Sequence, residues 1–195
     1  MKTKVLIAML FGLLISTISQ AQWTAIPDSN FEQALIDLGI DNVLDGKVLT
    51  ESVENVDLLY VVNKGIQNLE GIAAFSNLKS LHCGQNSIVN LDFSENLLLE
   101  EVVAQSNNIE VINTQNNANL KVLALASNNL STINVTQNLS LETLQLTNNN
   151  LTNIDLSQNT ALIYLQLEYN NISNIDLQHN SLLEIISVQN NNLSA

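Results

Sequence analysis

Residues 144–159 read LQLTNNNLTNIDLSQN and state one phrase, L-x-L-x-x-N, twice: at Leu144, Leu146 and Asn149, then with isoleucine leading at Ile154, Leu156 and Asn159. The alternation inside each phrase sends two side chains to one side of the chain and one to the other, the mark of a short strand with a single buried face. Each phrase closes on asparagine, whose short amide bonds turning backbone and which tolerates left-handed dihedrals.

Aligning the chain on itself at a spacing of 21 shows that the phrase is a template. Leu78, Leu99, Leu120, Leu141, Leu162 and Leu183 begin six units in register, without insertion or deletion. Three residues on come Leu81, Val102, Leu123, Leu144, Leu165 and Ile186, then Cys83, Ala104, Leu125, Leu146, Leu167 and Val188. One asparagine column follows at Asn86, Asn107, Asn128, Asn149, Asn170 and Asn191, and a second closes the units at Asn96, Asn117, Asn138, Asn159 and Asn180. Between them run Ile88, Ile109, Leu130, Leu151 and Ile172, then Leu91, Ile112, Ile133, Ile154 and Ile175, then Phe93, Thr114, Val135, Leu156 and Leu177.

The expected architecture is a flattened solenoid. Each coil carries two short parallel strands on opposite walls, apolar columns inside, and the two asparagine columns stacked as buried ladders at the corners. A lone coil cannot offset the entropy of ordering itself, so neighbouring coils have to complete it. Cys83, in an inward column beside alanine, leucine and valine, reads as a small buried hydrophobe rather than a reactive thiol. As the only cysteine it excludes an internal disulfide.

The L-x-x-L-x-L-x-x-N-x-L pattern over residues 78–195 resembles the leucine-rich repeat, and its doubled half-repeat is similar to the short nested type of bacterial exported proteins. Upstream, VDLLYVVNKGIQNLEGIAAFSNL resembles a degenerate repeat with Val56, Leu59, Val61, Ile66, Leu69 and Ile72 inward and Lys64 where asparagine is expected. Before it, Ser29 and Glu32 stand at capping-box spacing, with Phe31, Ala34, Leu35 and Leu38 on one helical face and Gly39 as the stop. This predicts an amphipathic helix over 29–38 that covers the first coil. Cap plus repeats looks like the exported leucine-rich repeat proteins of the Bacteroidetes, which usually continue with further repeats and often a C-terminal sorting domain.

The first residues combine Lys2 and Lys4 with an apolar run from Val5 to Ile18 and small residues at Ser19 and Ala21, which reads as a cleavable secretory signal cut after Ala21. The alternative, a membrane anchor, needs more length: the run rises only ~21 Å as a helix against a ~30 Å hydrocarbon core. The expected organisation is a signal peptide at 1–21, an N-terminal cap at 22–55, a degenerate first repeat at 56–77 and leucine-rich repeats at 78–195, the last one incomplete. An uncapped final coil exposes a leucine row and strand edges, which is expected of a fragment or truncated chain, or of end-to-end pairing. Secretion or cell-surface display is the expected localisation, with no membrane insertion after cleavage.

Asparagine supplies 31 residues and arginine none, and beyond the signal only Lys47, Lys64, Lys79 and Lys121 oppose 19 acidic side chains, a net charge of −15. Nucleic acid and anionic membranes are therefore poor partners, since each phosphate contact needs a cation. Catalysis and cofactors are not expected. His82 and His179 lie coils and one wall apart, so they share neither a metal nor a catalytic dyad. Asp92, Asp155 and Asp176 share an outward column with Asn113 and Asn134, read as a solvated face rather than a calcium ladder. Asp41, Asp45 and Gly46 faintly resemble a calcium loop, but Val43 and Leu44 spoil its spacing. No metal is expected.

The two walls differ outside. The first offers few charges and several apolar groups; the second is almost wholly polar. A weakly charged, rigid sheet suits recognition of a macromolecule, so a protein partner is expected on the first wall at Val122, Thr143, Gln145, Tyr164, Gln166, Glu168 and Tyr169. The competing expectations are a structural spacer or adhesin segment without a discrete ligand, and glycan binding through Tyr164, Gln145 and Gln166.

Overall fold

The computed structural model describes residues 21–193, so the predicted signal sequence, apart from Ala21, lies outside the described residues. The N-terminal segment runs β1 (Trp23–Ala25), α1 (Ser29–Asp37), β2 (Lys47–Leu49) and α2 (Thr50–Glu54). The first coil follows with β3 (Leu58–Tyr60), and the regular coils with β4 (Ser80–His82), β5 (Asn90–Asp92), β6 (Glu101–Val103), β7 (Val111–Asn113), β8 (Val122–Ala124), β9 (Thr143–Gln145), β10 (Tyr164–Gln166) and β11 (Ile185–Ser187). Seven of these strands, in the order β3-β4-β6-β8-β9-β10-β11, form one parallel sheet along the first wall. Its central residues Leu59, Leu81, Val102, Leu123, Leu144 and Leu165 are fully buried, whereas Ile186 in the last described coil is 45% exposed. The fold is the parallel β-solenoid with few helices that the columns require.

The second wall departs from a continuous ladder. Strands form only at β5 and β7, which pair in parallel. In the later coils the matching stretches are Ser131-Thr132-Ile133-Asn134, Thr152-Asn153-Ile154-Asp155 and Ser173-Asn174-Ile175-Asp176. Ser, Thr and Asn stand there where the paired coils carry Val89 and Val111, which lowers the strand propensity of these stretches. The Asp92, Asn113, Asn134, Asp155 and Asp176 carboxyl or amide oxygens each accept the N–H two residues on, at 2.9–3.2 Å. This outward column, read from sequence as a solvated face, is thus a row of side-chain-closed turns, which is why only Asp and Asn occupy it. The bond from Ser157 holds the Asp155 carboxyl below its ordinary value. Ile112, Ile133, Ile154 and Ile175, expected inside, are only half-buried along this looser wall.

The first asparagine column is fully used. Asn107, Asn128, Asn149 and Asn170 accept with Oδ1 from the N–H of Ile88, Ile109, Leu130 and Leu151 in the preceding coil at 2.9–3.0 Å. Their Nδ2 groups donate to a carbonyl three residues back and to one in the preceding coil. Asn86 and Asn191, at the two ends of the column, are half-buried rather than buried because a regular coil flanks each on one side only. The left-handed dihedral falls one residue earlier, on Asn63, Gln85, Ser106, Ser127, Asn148, Tyr169 and Asn190, with φ of 54–58°. Asparagine holds the ladder for its hydrogen bonds, not for its dihedral. In the second column each Nδ2 of Asn117, Asn138, Asn159 and Asn180 bridges two carbonyls of the coil before it. Only Asn138 finds a protein donor for its oxygen, the Thr114 hydroxyl at 3.0 Å.

The cap differs from its sequence reading in three ways. The N-cap of α1 is Asp28, whose Oδ1 accepts from Asn30 and Phe31 at 2.9 and 3.0 Å; Ser29 is already helical. Glu32 makes no capping box. It is buried, and one oxygen collects the N–H groups of Asp45, Gly46 and Lys47 at 2.6–3.0 Å. The loop that faintly resembled a calcium site therefore points backbone donors inward at a carboxylate, the opposite of a cation's need. Leu38 lies at the helix C-cap, 47% exposed and off the buried stripe of Phe31, Ala34 and Leu35.

Asp28 also ties cap to coil. Its Oδ2 accepts from Gln67 and Asn68 at 2.7 and 3.0 Å, Asn30 donates to the Gly65 carbonyl, and Lys64 reaches Asp37 at 2.8 Å. The departure at Lys64 thus leaves the first corner intact: Asn63 keeps the left-handed turn, and Asn86 accepts from both Lys64 and Ile66. Burial pushes the Asp28 carboxyl up, but the N–H groups of Phe31, Gln67, Asn68 and Asn30 outweigh it and hold the group below its ordinary value of 3.8. A carboxylate depressed in the folded state contributes stability that is complete above its unfolded value and lost as pH falls through the folded one. Asp28→Asn is expected to flatten the fall in stability below about pH 4. Parallel acid unfolding curves for the two proteins over that window are the contrary result.

Candidate interaction surface

The first wall presents two outward rows set by strand register. One runs Leu58, Ser80, Glu101, Val122, Thr143, Tyr164, Ile185, and the other Tyr60, His82, Val103, Ala124, Gln145, Gln166, Ser187. Register brings Val122, Thr143 and Tyr164 side by side and sets Gln145 against Gln166; all five are half-buried. Glu168 flanks them and accepts from the Thr147 hydroxyl at 2.6 Å. Tyr169 stands apart from the sheet at the corner, 60% exposed with φ of 55°. An aromatic residue seldom holds that dihedral, which its column elsewhere gives to Asn, Ser and Gln.

The sequence reading missed the far end of this surface. Leu58 and Tyr60 on β3 are each 57% exposed, and the Tyr60 ring centroid lies 5.7 Å from that of His82. The signal was available: if Leu59 and Val61 point inward in VDLLYVV, then Leu58 and Tyr60 point outward. Beside them the Ser80 hydroxyl donates to Glu101 at 2.7 Å, and His82 Nε2 lies 3.4 Å from the same carboxylate oxygen. The serine bond runs to the carboxylate and not to the imidazole, so this trio lacks the order of a nucleophile–base relay. Cys83, buried behind it, has its thiol pushed up to about 12 by burial, which keeps it protonated and inert. Among the described residues no group of three or more His, Cys, Asp or Glu side chains is placed to hold a metal ion, and no helix is long and apolar enough to cross a membrane.

No protein-family model matches the chain, and no curated protein does. Solved structures do. An internalin, InlF, from Listeria monocytogenes aligns with 88% of this chain and 58% of its own at 23% identity and a TM-score of 0.70. The functional domain of InlJ from the same organism, which includes a cysteine ladder, aligns with 90% of this chain and 50% of its own at 23% identity and a TM-score of 0.59. The APL1 leucine-rich repeat domain aligns with 76% of this chain and 47% of its own at 26% identity and a TM-score of 0.63. The chain spans about half the length of these three structures. Its repeats, its parallel first wall and these likenesses together identify the fold as a leucine-rich repeat solenoid.

Proposed function

We propose that the chain is an exported, non-catalytic interaction scaffold that offers the outer face of its first wall to a protein partner. The observation that carries this reading is the unbroken seven-strand sheet, whose outward rows combine Leu58, Tyr60, Val103, Val122, Tyr164 and Ile185 with neutral amides. Its carboxylates Glu101 and Glu168 already hold hydroxyl hydrogen bonds. Drying such a face costs less than drying the aspartates of the second wall, and tyrosines supply rigid contact area. Tyr169, held in a strained dihedral at the rim, extends the same surface. Export rests on the signal-like residues 1–21. A TLR13–ssRNA13 complex is among the structures with this fold, but a chain without arginine and with a net charge of −13 is ill suited to phosphate.

Arrays of extracellular proteins and of glycans, probed with the purified chain and with Tyr164→Ala and Asn153→Ala, test the reading. Expected is a protein hit that Tyr164→Ala weakens at least about tenfold and Asn153→Ala leaves alone. Loss only with Asn153→Ala means the wrong face; hits confined to glycans favour the adjacent Gln145, Gln166 and Tyr164 as a sugar platform; silence on both arrays favours a spacer.

A further inference from the structure

A cavity of about 550 Å3 opens on the second wall, between residues 68–73 of the first coil and the outer edge of β5. Its cause lies in the backbone. Val89 C=O and Phe93 N–H face the next coil, where they bond Glu110 and Asn113 at 2.9 and 3.1 Å. Successive residues of a strand present their backbone groups to opposite sides, so Asn90 and Asp92 turn N–H and C=O toward residues 68–73. That segment is in no position to pair with them. Asp28 holds the N–H groups of Gln67 and Asn68, Asn68 Oδ1 holds that of Glu70 at 3.1 Å, and Gly71, with φ of +98°, carries the chain against Ala25 and Ile26. The cap thus pulls the first coil away from β5 and leaves a strand edge open along a groove. Such an edge is a template for another strand.

The groove also selects by charge. Glu70, Asp92 and Glu95 line it, no basic residue does, and among the described residues none of the three enters an ion pair. We propose that β5 receives an extended lysine- or arginine-bearing segment of a partner protein as an added strand, its backbone bonding Asn90 and Asp92 and its cations meeting Glu70, Asp92 and Glu95. This site is separate from the first-wall surface and stands without it.

The test uses the purified chain and a fluorescent peptide of about seven residues alternating lysine with threonine, followed by anisotropy at low salt and by backbone amide NMR. Saturable binding is expected, with the Asn90 and Asp92 amides among the largest shifts. Glu70→Lys combined with Glu95→Lys, at two exposed positions, is expected to weaken it at least about tenfold. Methylating alternate peptide nitrogens keeps every charge and is expected to abolish binding. The proposal is overturned by no saturation up to ~1 mM peptide, by equal binding of a glutamate–threonine peptide, by indifference to methylation, or by shifts confined to β8, β9 and β10.

Discussion

Replacing Asn149 with leucine is expected to lower the unfolding free energy by about 1–3 kcal/mol, although the substitution adds apolar surface to an interior that is already mostly leucine. The Leu130 N–H is left without an acceptor, because Asn149 Oδ1 is its partner at 3.0 Å. The Leu125 and Leu146 carbonyls lose one donor each but keep a second, from Asn128 and Asn170. That sharing makes the ladder cooperative: removing one rung weakens the rungs on both sides. Asn191→Leu, at the half-buried end of the same column, is expected to cost less than about 1 kcal/mol, since water can reach the freed groups. Urea unfolding of the two variants checks this; an Asn149→Leu protein with the midpoint and slope of the parent means the ladder contributes nothing.

Gly71→Ala is expected to cost about 3 kcal/mol or more and to act on the cap first. A Cβ added there would lie 2.5 Å from the Ala25 carbonyl oxygen and would collide with Ile26 Cδ1, at a φ of +98° that L side chains rarely adopt. Backbone on backbone has no rotamer by which to yield. Gly39→Ala and Gly46→Ala, also at positive φ but with open space around them, are expected to cost only about 1 kcal/mol each. The chain's one tryptophan, Trp23, lies on β1 of the cap with the Lys47 ammonium 4.8 Å over its ring. Its fluorescence therefore reports detachment of the cap ahead of the coils. A Gly71→Ala protein whose tryptophan signal and circular dichroism melt together at the parent temperature contradicts the close packing of Ala25 and Gly71.

Export and partner choice lie outside what repeat geometry encodes. The placement of the candidate surface was legible from alternation alone, since Val122, Thr143 and Tyr164 fall in one row whenever the coils stack in register. Leu58 and Tyr60 follow from the same alternation, but their coil breaks the 21-residue template, so no column marks them. Tyr169 was legible as an aromatic residue but not as a strained one, since its left-handed dihedral is a property of the corner it occupies.

The amino-acid sequence by itself determined the solenoid, its period, the inward columns of the first wall and the rungs of both ladders. In a repeat each residue meets the same neighbours one coil above and below, so a local pattern states a tertiary contact directly. Tertiary structure alone decided the rest. Asp28 reaches Gln67 and Asn68 across 39 and 40 residues, and Glu32 reaches Gly46 across 14; no period links these positions, so a pattern read along the chain has nothing to register. Nor does it show that one wall closes into seven paired strands while the other closes into two. The same Asp or Asn turn closes paired and unpaired coils alike. What differs is Val89 and Val111 against Ser, Thr and Asn in the later coils, a difference in strand propensity too small to decide pairing until the coils have stacked.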